Sequence, residues 1–404
     1  MKLTVLTYGT EGDTRPLAVL CRALMDAGHH VRLLAEANSL DSARQLAVPH
    51  DSLSGDIKQD LQTLVLQGSG VNATLKGLSR MANAQAQSWM RQAADAAAGC
   101  DGLIVSGLTA FVGLSVADQL GIPVIGTGMI PISPTQAFAS PFLSGQRLPP
   151  ALNKASHKLV NWLLWQSFRK SINQARKQVL GMPPRHRLWT GHPMLYGISP
   201  ALLPEPADWP ENATLCGQWL EPERPWSPSA ELQAFLDAGE APIYLGFGSM
   251  VGFDRNALLH TLLEALKGER ILFYPGWAGM PAVPLPENIF VLGDTPHRWL
   301  FPRTSLAIHH GGSGTTHSAC RAGIPSIVLP FAGDQFFWGI QLKRLGLADD
   351  PISTRKLSAD AIRQAVRLAR TEKVRSRAET LARSMSREDG AALAVARIQA
   401  LLGR

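Results

Sequence analysis

Glycine, hydroxyl and imidazole side chains are concentrated in one short segment, His309-His310-Gly311-Gly312-Ser313-Gly314-Thr315-Thr316-His317. The apolar residues just before it predict a strand, and a helical pattern begins at about Thr315. Glycines let the backbone approach a ligand closely, and the free N–H groups at a helix start attract anions. Hydroxyl and imidazole groups add hydrogen bonds to phosphate oxygens. The segment predicts a phosphate or diphosphate site, although glycine-rich turns also serve for tight packing alone.

Two of these residues, His309 and His310, are adjacent and so raise the question of a metal site. Neighbouring side chains on a strand point to opposite faces, which makes it difficult for both rings to bind one ion. The sequence offers no further ligands at the spacing of a zinc site, and its four cysteines stand apart without a CxxC pair. We therefore expect neither a bound metal nor a disulfide framework.

An acid and an amide stand side by side a little further along the chain, at Asp334 and Gln335. The apolar residues 325–329 predict a strand, so the pair lies just past a strand end, where it faces the same cleft as the glycine segment. A carboxylate and an amide together can hydrogen-bond adjacent hydroxyl groups of a sugar. Capping of the next helix by Asp334 is the alternative, and the two roles are compatible.

A third chemically capable group lies near the N-terminus, where residues 2–8 predict a strand that ends in the turn Gly9-Thr10-Glu11-Gly12-Asp13. At the tip of this turn Asp13 can take a proton from a hydroxyl group as a general base. The alternative is that Asp13 or Thr14 only caps the following helix, with Pro16 in its first turn. The glycine spacing does not match the GxGxxG fingerprint of a dinucleotide site.

The elements that must position these groups alternate between strands and helices. Short apolar segments separated by helical patterns predict a parallel sheet covered on both faces. In the first half of the chain the predicted strands are 2–8, 31–35, 101–106, 122–126 and 194–198. Prolines are dense at 199–228, and the pattern then restarts. In the second half the predicted strands are 242–247, 270–274, 289–292, 305–309 and 325–329, before a helical tail at 358–402.

Two tandem units of this kind predict an α/β protein with two Rossmann-like, doubly wound parallel-sheet domains that face each other across a cleft. The length of 404 residues also suits two domains better than one core. We assign residues 1–210 to the first domain, 211–380 to the second and 381–404 to a helix that packs back on the first. The segment 213–217 fits a strand of either domain.

The formal charge of +7 suggests an anionic partner, but no aromatic-basic nucleic-acid module accompanies it. We therefore expect no nucleic acid and favour a phosphorylated small molecule, with a membrane surface nearby as a second option. No run of 18 uncharged apolar residues exists, and the N-terminus is typical of a core strand rather than a signal peptide. We expect a cytoplasmic protein.

The segments around these residues resemble the family 1 glycosyltransferases of the GT-B fold. The stretch 296–346 is the most specific, since its Pro296-His297-Arg298-Trp299-Leu300-Phe301-Pro302 and the glycine segment resemble the sterol glucosyltransferases and the enzymes that glycosylate antibiotic aglycones. The resemblance implies an inverting transfer of a hexose from a UDP- or dTDP-sugar, with UDP-glucose slightly favoured. The acceptor would be a hydroxyl of a lipophilic small molecule, such as a sterol, polyketide, phenol or lipid. A GT-B epimerase or hydrolase, or a non-catalytic partner protein, is the alternative.

The resemblance also implies roles for single residues, with no cofactor and no metal. It implies that Asp13 is the general base. The donor-binding residues that we carry over are Gly12, Ser249, His309, Gly312, Ser313, Gly314, Thr315, Asp334 and Gln335. Three positions depart from the family pattern. Glu11 replaces a common arginine, His317 stands where plant members carry a ribose-binding glutamate, and residues 293–296 occupy the region of the base-stacking tryptophan.

The acceptor side is the least regular part of the first domain, at 129–195. Our candidates for an apolar acceptor pocket are Met129, Phe138, Trp162 and Trp165, with Phe142 as a weaker one. The helical segment 157–170, which carries both tryptophans, is apolar with basic ends. It fits a pocket wall or a peripheral contact with a membrane surface, and an ordinary packed helix is the alternative. Both a monomer and a homodimer are compatible with the sequence.

Overall fold

A computed structural model of the chain describes residues 1–57, 59, 71–146, 148–223, 225–248, 250, 254–276, 279, 285–354 and 357–403. Within these residues the fold consists of two α/β units. Each unit is built around one parallel sheet.

The first sheet contains seven described strands in the order β3-β2-β1-β4-β5-β6-β7, and every neighbouring pair is parallel. Its strands are β1 (Lys2–Leu6), β2 (His30–Glu36), β3 (His50–Leu53), β4 (Gly102–Ser106), β5 (Val124–Gly128), β6 (Met194–Tyr196) and β7 (Ala213–Leu215).

The second sheet contains five described strands in the order β10-β9-β8-β11-β12, again all parallel. Its strands are β8 (Ile243–Gly246), β9 (Ile271–Tyr274), β10 (Ile289–Val291), β11 (Leu306–His309) and β12 (Ser326–Val328).

The helices connect these strands and cover the sheets. In chain order they are α1 (Glu11–Asp26), α2 (Asp41–Gln45), α3 (Val71–Ala97), α4 (Ala110–Leu120), α5 (Asn153–Leu180), α6 (Ala230–Asp237), α7 (Arg255–Ala265), α8 (His297–Leu300), α9 (Ser313–Ala322), α10 (Gln335–Arg344), α11 (Ala359–Ala369), α12 (Glu372–Met385) and α13 (Gly390–Leu402). Over the part of the chain described here, none of them combines the length and apolar character needed to cross a bilayer.

Both faces of each sheet are buried, because successive side chains of a strand point to opposite sides. On β1, Leu3 and Val5 pack in a cluster with α1, whereas Leu6 packs with α3 and α4 on the other face. In the second sheet, Leu245 of β8 faces α7 and α11, and its neighbour Tyr244 faces the opposite cluster. The predicted class of two doubly wound α/β domains is confirmed.

The boundary predicted between the domains needs a correction. We placed it after residue 210, but β7 pairs with β6, so the first sheet runs to Leu215. A three-residue strand in a proline-rich connection carries little periodicity, and its membership becomes visible only through backbone pairing. The helical tail 358–402 divides into α11, α12 and α13. The last of these packs on α1 through Ala394 and Ile398.

The two domains are joined through a shared cluster and a close backbone crossing. In the cluster, Tyr196 of the first sheet packs with Trp338 of α10 and Met385 of α12. At the crossing Gly217 approaches Gly390 so closely that a Cβ on Gly390 would lie 2.4 Å from the Gly217 carbonyl carbon. The chain thus passes between the domains at two places that lie against each other.

Candidate active site

The glycine segment forms a tight turn between β11 and α9. Helix α9 begins at Ser313, two residues before the predicted start, with Gly312 as its N-cap and without any side-chain cap. Gly311 has φ +86°, and a Cβ there would lie 2.6 Å from Val328 Cγ1. A Cβ on Gly312 would lie 2.4 Å from His310 Nε2. These two glycines are therefore required by the turn itself, whereas Gly314 adjoins open space.

The first turn of α9 presents unpaired N–H groups to that open space. The first helical bond runs from Thr316 N to Gly312 O, at 3.0 Å. The N–H groups of residues 313–315 have no carbonyl behind them, as at any helix start. No acidic residue stands in this first turn. Ser313, Gly314 and Thr315 therefore present free N–H donors with the positive pole of the helix dipole behind them, an arrangement that is suited to an anion.

His309 ends β11 and is completely buried. Its Nδ1 accepts the Gly311 N–H at 3.1 Å, so the ring proton lies on Nε2. Burial lowers the pKa of His309 to about 3, and the nearby His310 and His297 act in the same direction. The ring is therefore neutral near pH 7. Its Nε2 has no hydrogen-bond partner among the described residues, which leaves one oriented N–H donor for a ligand.

Asp13 lies in the first turn of α1 and is exposed on the side that faces the second domain. Its Oδ2 accepts the Thr10 N–H at 2.8 Å and the Thr10 hydroxyl at 3.3 Å. A Cβ on Gly9 would lie 2.2 Å from the same oxygen, so the turn needs a glycine there. The predicted capping role is therefore present. Since Oδ1 has no partner among the described residues, the carboxylate can still accept a proton.

Asp334 comes from the opposite domain and precedes α10. Its Oδ2 accepts the indole N–H of Trp338 at 2.8 Å. The pKa of Asp334 is raised to about 6, chiefly by burial and to a smaller extent by the negative charge of Asp13, while the hydrogen bond from Trp338 opposes the rise. The protein around the cleft removes part of the solvation of Asp13, although its side chain stays accessible, and this desolvation raises its pKa against the opposing effect of the Thr10 hydrogen bonds. The charge of Asp13 in the first domain therefore acts on Asp334 in the second.

Gln335 is more firmly bound to the protein than its neighbour Asp334. Its Oε1 accepts the N–H groups of Phe331, at 2.7 Å, and Ala332, at 3.1 Å. Its Nε2 lies 3.0 Å from Met250 Sδ. The side chain is buried, so the amide chiefly shapes the loop between β12 and α10.

His317 accounts for one departure from the family pattern. Its Nδ1–H donates to Ser313 O at 2.8 Å, and its Nε2 accepts the Ser199 N–H at 3.2 Å. Both ring nitrogens are thus used inside the protein. The ring ties α9 to the first domain and packs edge-on against Trp338, with centroids 5.1 Å apart. Direct ribose contact through this side chain is therefore excluded in this arrangement.

The two remaining predicted donor residues are Ser249 and Gly12. Ser249 lies outside the described residues. Its neighbour Gly248 has φ +58° and lies against the His310 ring, where a Cβ would be 3.1 Å from Cε1. Gly12 is exposed beside Asp13, and a Cβ there would meet only Thr10 Oγ1, at 3.5 Å.

The predicted acceptor residues do not form one surface. Trp165 is only 1% exposed, donates its indole N–H to His186 O at 3.2 Å and packs edge-on against Phe111. It is a core residue, which corrects its assignment to the acceptor pocket. Phe138 is also buried, in the interdomain cluster, with its ring centroid 5.0 Å from that of Phe337. Met129 is partly buried against the core of the first domain.

Trp162 differs from these residues, since 52% of its surface is exposed on the outer face of α5, and Phe142 is exposed as well. Only these two of our apolar acceptor candidates are freely accessible. The helix α5 therefore has a packed face with Trp165 and an outward apolar face with Trp162.

Sequence reasoning missed two residues that position the carboxylates, Thr10 and Trp338. The signal for Thr10 was the Thr-x-x-Asp spacing of a capping box, in which each residue bonds the other. The signal for Trp338 was its place four residues after Asp334, which puts the two side chains on one face of a helix.

Comparison with known proteins agrees with this geometry. A family model described as the C-terminal domain of Erythromycin biosynthesis protein CIII-like proteins matches residues 258–401. A sterol 3-beta-glucosyltransferase of Arabidopsis thaliana is 32% identical over 98% of this chain and 67% of its own length. The chain belongs to the family 1 glycosyltransferases of the GT-B fold.

Two further comparisons show the extent of the likeness. A sterol 3-beta-glucosyltransferase of Yarrowia lipolytica is 30% identical over 98% of this glycosyltransferase, which spans only 28% of that longer protein. The crystal structure of the glycotransferase of kitacinnamycin has the same fold, with a TM-score of 0.71, 19% identity and 99% of each chain covered.

Proposed function

We propose that this glycosyltransferase moves a hexose from a nucleoside diphosphate sugar to a hydroxyl group of a lipophilic acceptor, with inversion at the anomeric carbon. The observation that carries the proposal is the pair Asp13 and Asp334, which come from different domains, together with the uncapped N-terminus of α9; the negative charge of Asp13 contributes to the raised pKa of Asp334. A carboxylate that accepts protons, a carboxylate that binds hydroxyls and an anion site are the three groups that this reaction needs.

In the proposed reaction the acceptor oxygen attacks the anomeric carbon while the bond from that carbon to the diphosphate breaks. The acceptor proton moves to Oδ1 of Asp13, and Thr10 holds Oδ2 in place. A pKa above the usual range makes Asp13 a stronger base than a solvated aspartate.

The departing diphosphate takes the electron pair of the broken bond and carries the developing charge. In the proposal the N–H groups at the start of α9 and the Nε2–H of His309 stabilise it. Because these donors are fixed before the reaction, they need no reorganisation. We propose that this enzyme works without a metal ion, so a chelator should leave the rate unchanged.

Asp334 is proposed to bind hydroxyl groups of the donor sugar. Its Oδ2 is held by Trp338, and the other oxygen has no partner among the described residues. We propose a UDP- or dTDP-hexose as donor, with UDP-glucose first. A sterol is the first acceptor to test, because both sequence relatives compared above are sterol 3-beta-glucosyltransferases.

The test is a turnover assay with UDP- and dTDP-sugars against sterols and other lipophilic alcohols and phenols. We expect a glycoside product, and Asp13→Asn should lower its rate roughly 100- to 10,000-fold, the usual contribution of a general base. Asparagine keeps an acceptor oxygen for the Thr10 N–H, so the helix cap survives. Asp26→Asn at the far end of the same helix is the matched control and should retain activity.

Two outcomes would contradict the proposal. Full activity of Asp13→Asn would refute the role of Asp13 as the general base. Breakdown or isomerisation of the donor at the same rate without any acceptor would indicate an epimerase or hydrolase instead.

A further inference from the structure

Large apolar side chains on the described surface are concentrated in one segment, which leads from the 3-10 turn Pro141–Leu143 into the first half of α5. The exposed ones are Phe142, Leu152, Leu159, Trp162, Leu163 and Leu164. Leu159, Trp162 and Leu163 are each about half exposed, at 51%, 52% and 48%. Isolated exposed apolar residues are ordinary, but a contiguous group marks an interaction surface.

The core of the protein does not require this group. The inner face of α5 is formed by Val160, Trp165, Phe168 and Ile172, which are buried. Leu159 and Leu163 are four residues apart and Trp162 follows Leu159 by three, so these three share the outer face. Helix α5 is therefore apolar on two sides, and only one of them has a partner within the described chain.

The outer face is also strongly basic. The 28 residues of α5 include six Lys or Arg residues and no Asp or Glu. Lys154 pairs with Asp208 and Arg176 with Asp118. The remaining cations are exposed and form no ion pair with any described residue: Lys158, Arg169, Lys170 and Lys177. Arg169 and Lys170 follow Trp162 and Leu163 by seven residues, so they continue the same face.

This surface adjoins the cleft. The turn Pro141–Leu143 at its edge leads to Gly145, where a Cβ would lie 3.3 Å from the Phe336 ring. Phe336 belongs to the first turn of α10, two residues after Asp334. A second link joins α5 to the acceptor region, since the amide Nδ2 of Asn161 donates to Ile132 O at 3.2 Å. A molecule that approaches along the outer face of α5 therefore arrives beside the carboxylates.

We propose that the outer face of α5 docks on an anionic lipid bilayer. The leucines and Trp162 enter the boundary between headgroups and acyl chains, and the four unpaired cations meet the lipid phosphates. A second copy of the chain is a poor occupant of this surface. A twofold contact through α5 would bring the cations of both copies together without any acid on the helix to compensate them. The advantage for catalysis rests on the proposed function, since a lipophilic acceptor would pass from the bilayer into the cleft.

The first test is flotation of the full chain with vesicles of 70% phosphatidylcholine and 30% phosphatidylglycerol, next to vesicles of phosphatidylcholine alone. We expect binding to the anionic vesicles and much less to the neutral ones. Leu159→Ser/Leu163→Ser should lower the bound fraction at least tenfold, because two apolar anchors are lost. Leu393→Ser/Leu401→Ser removes two similarly exposed leucines from α13 and should bind like the unaltered protein.

The second test separates a specific surface from general attraction by the net charge of +7. Lys158→Gln/Arg169→Gln/Lys170→Gln should weaken binding about 100-fold, since each cation near an anionic surface is worth about fivefold. Arg367→Gln/Lys373→Gln/Arg383→Gln removes the same charge from exposed positions on α11 and α12 and should have little effect. Equal losses in the two triple variants, or no binding of the unaltered protein, would overturn the proposal.

Two further measurements distinguish docking on a bilayer from self-association and from damage to the active site. Light scattering without vesicles should give the same mass for the unaltered protein and for Leu159→Ser/Leu163→Ser; a dimer that the variant dissociates would show that a second copy covers the surface. In turnover assays the same variant should lose activity toward a sterol in vesicles but not toward one in detergent micelles. Vesicle binding by a protein with no transfer activity at all would refute the proposed function and leave the docking intact.

Discussion

The turns β1–α1 and β11–α9 lie in different domains and have opposite electrostatics. Each joins the carboxyl end of an inner strand to a helix that borders the cleft. The first turn of α1 carries two acids, Glu11 and Asp13, and the N–H of Thr10 is occupied by Asp13. The first turn of α9 carries no acid and no side-chain cap. One helix start is thus closed by its own carboxylate, and the other is open to an anion.

In the proposed mechanism this difference lets one fold supply both halves of the transfer reaction. A threonine at the N-cap of α1 fixes an acid that can act as a base, whereas a glycine at the N-cap of α9 leaves the helix dipole for a ligand. The following substitutions alter the open end or the closed end.

The substitution Gly312→Ala disrupts the open end, the start of α9, and is expected to have the largest effect. The new Cβ would stand 2.4 Å from His310 Nε2, so the turn or the ring must move. We expect kcat/KM to fall about 100-fold, comparable to the removal of an oriented donor at a developing charge. The matched control is Gly191→Ala, where nothing lies within 4 Å. Donor binding by calorimetry and steady-state kinetics would measure the change, and unchanged donor affinity would argue against α9 as the anion site.

Asp334 faces both helix starts, the open one of α9 and the closed one of α1. The substitution Asp334→Asn should separate the role of this residue in donor binding from its effect on stability. A hydrogen bond to a charged group contributes about 1.5–3 kcal/mol, so we expect the donor KM to rise about 10- to 100-fold. The pKa of about 6 in the folded protein exceeds the ordinary 3.8. Folding therefore favours the protonated acid, and the stability that this proton provides is present below pH 3.8 and lost as the pH rises through 6.

Asparagine has no ionisable carboxyl group, so the variant does not lose stability through this ionisation as the pH rises. Asp334→Asn should be more stable than the unaltered protein at pH 8, by about 3 kcal/mol, and no more stable at about pH 3.5. Urea unfolding at the two pH values would test this prediction. A variant that loses stability at pH 8 would show that Asp334 is held mainly for the hydrogen bond to Trp338.

Gly314→Ala should affect only the ligand. A Cβ at this position meets nothing within 4 Å, so the protein itself has room for it, and alanine favours a helix over glycine by up to about 1 kcal/mol. We expect an unchanged or raised melting temperature together with a donor KM about tenfold higher, because the methyl group occupies the space of the diphosphate. Equal donor affinity would place the anion elsewhere on the turn.

Much of this arrangement was predictable from the sequence, and the misses have physical reasons. Apolar runs indicate strands because buried strands need them, which is why β1, β8 and β11 were found. The strand β3 (His50–Leu53) was missed, since its sequence is polar and only Leu53 is buried. Backbone pairing with β2 holds it there, and such pairing is independent of side-chain pattern.

The sequence was sufficient to identify the chemical groups of the site, but not the residues with which those groups form contacts. Motif and resemblance identified Asp13, His309 and Asp334, because their types and neighbours carry the chemistry. The amide of Gln335 bonds back to its own loop, and His317 reaches Ser199 in the other domain. Both contacts depend on how loops and domains dock in three dimensions. Trp165 was misassigned for a related reason, since an apolar helix with two apolar faces does not reveal which face is covered.

The substitution Thr10→Ala tests the closed end, the start of α1, and is expected to have the smallest effect. The variant loses the hydroxyl hydrogen bond to Asp13 Oδ2 but keeps the backbone bond from the Thr10 N–H. Because the lost bond holds the pKa of Asp13 down, that pKa should rise above its already raised value. A base must be ionised, so the acidic limb of the profile of kcat/KM against pH should move to higher pH, with activity a few-fold lower on that limb and nearly unchanged on the plateau above it. Thr261→Ala on α7, whose hydroxyl bonds only the helix carbonyl Ala257 O, should leave the profile in place. A shift in the opposite direction, or a uniform loss at every pH, would mean that Thr10 supports the helix and not the base.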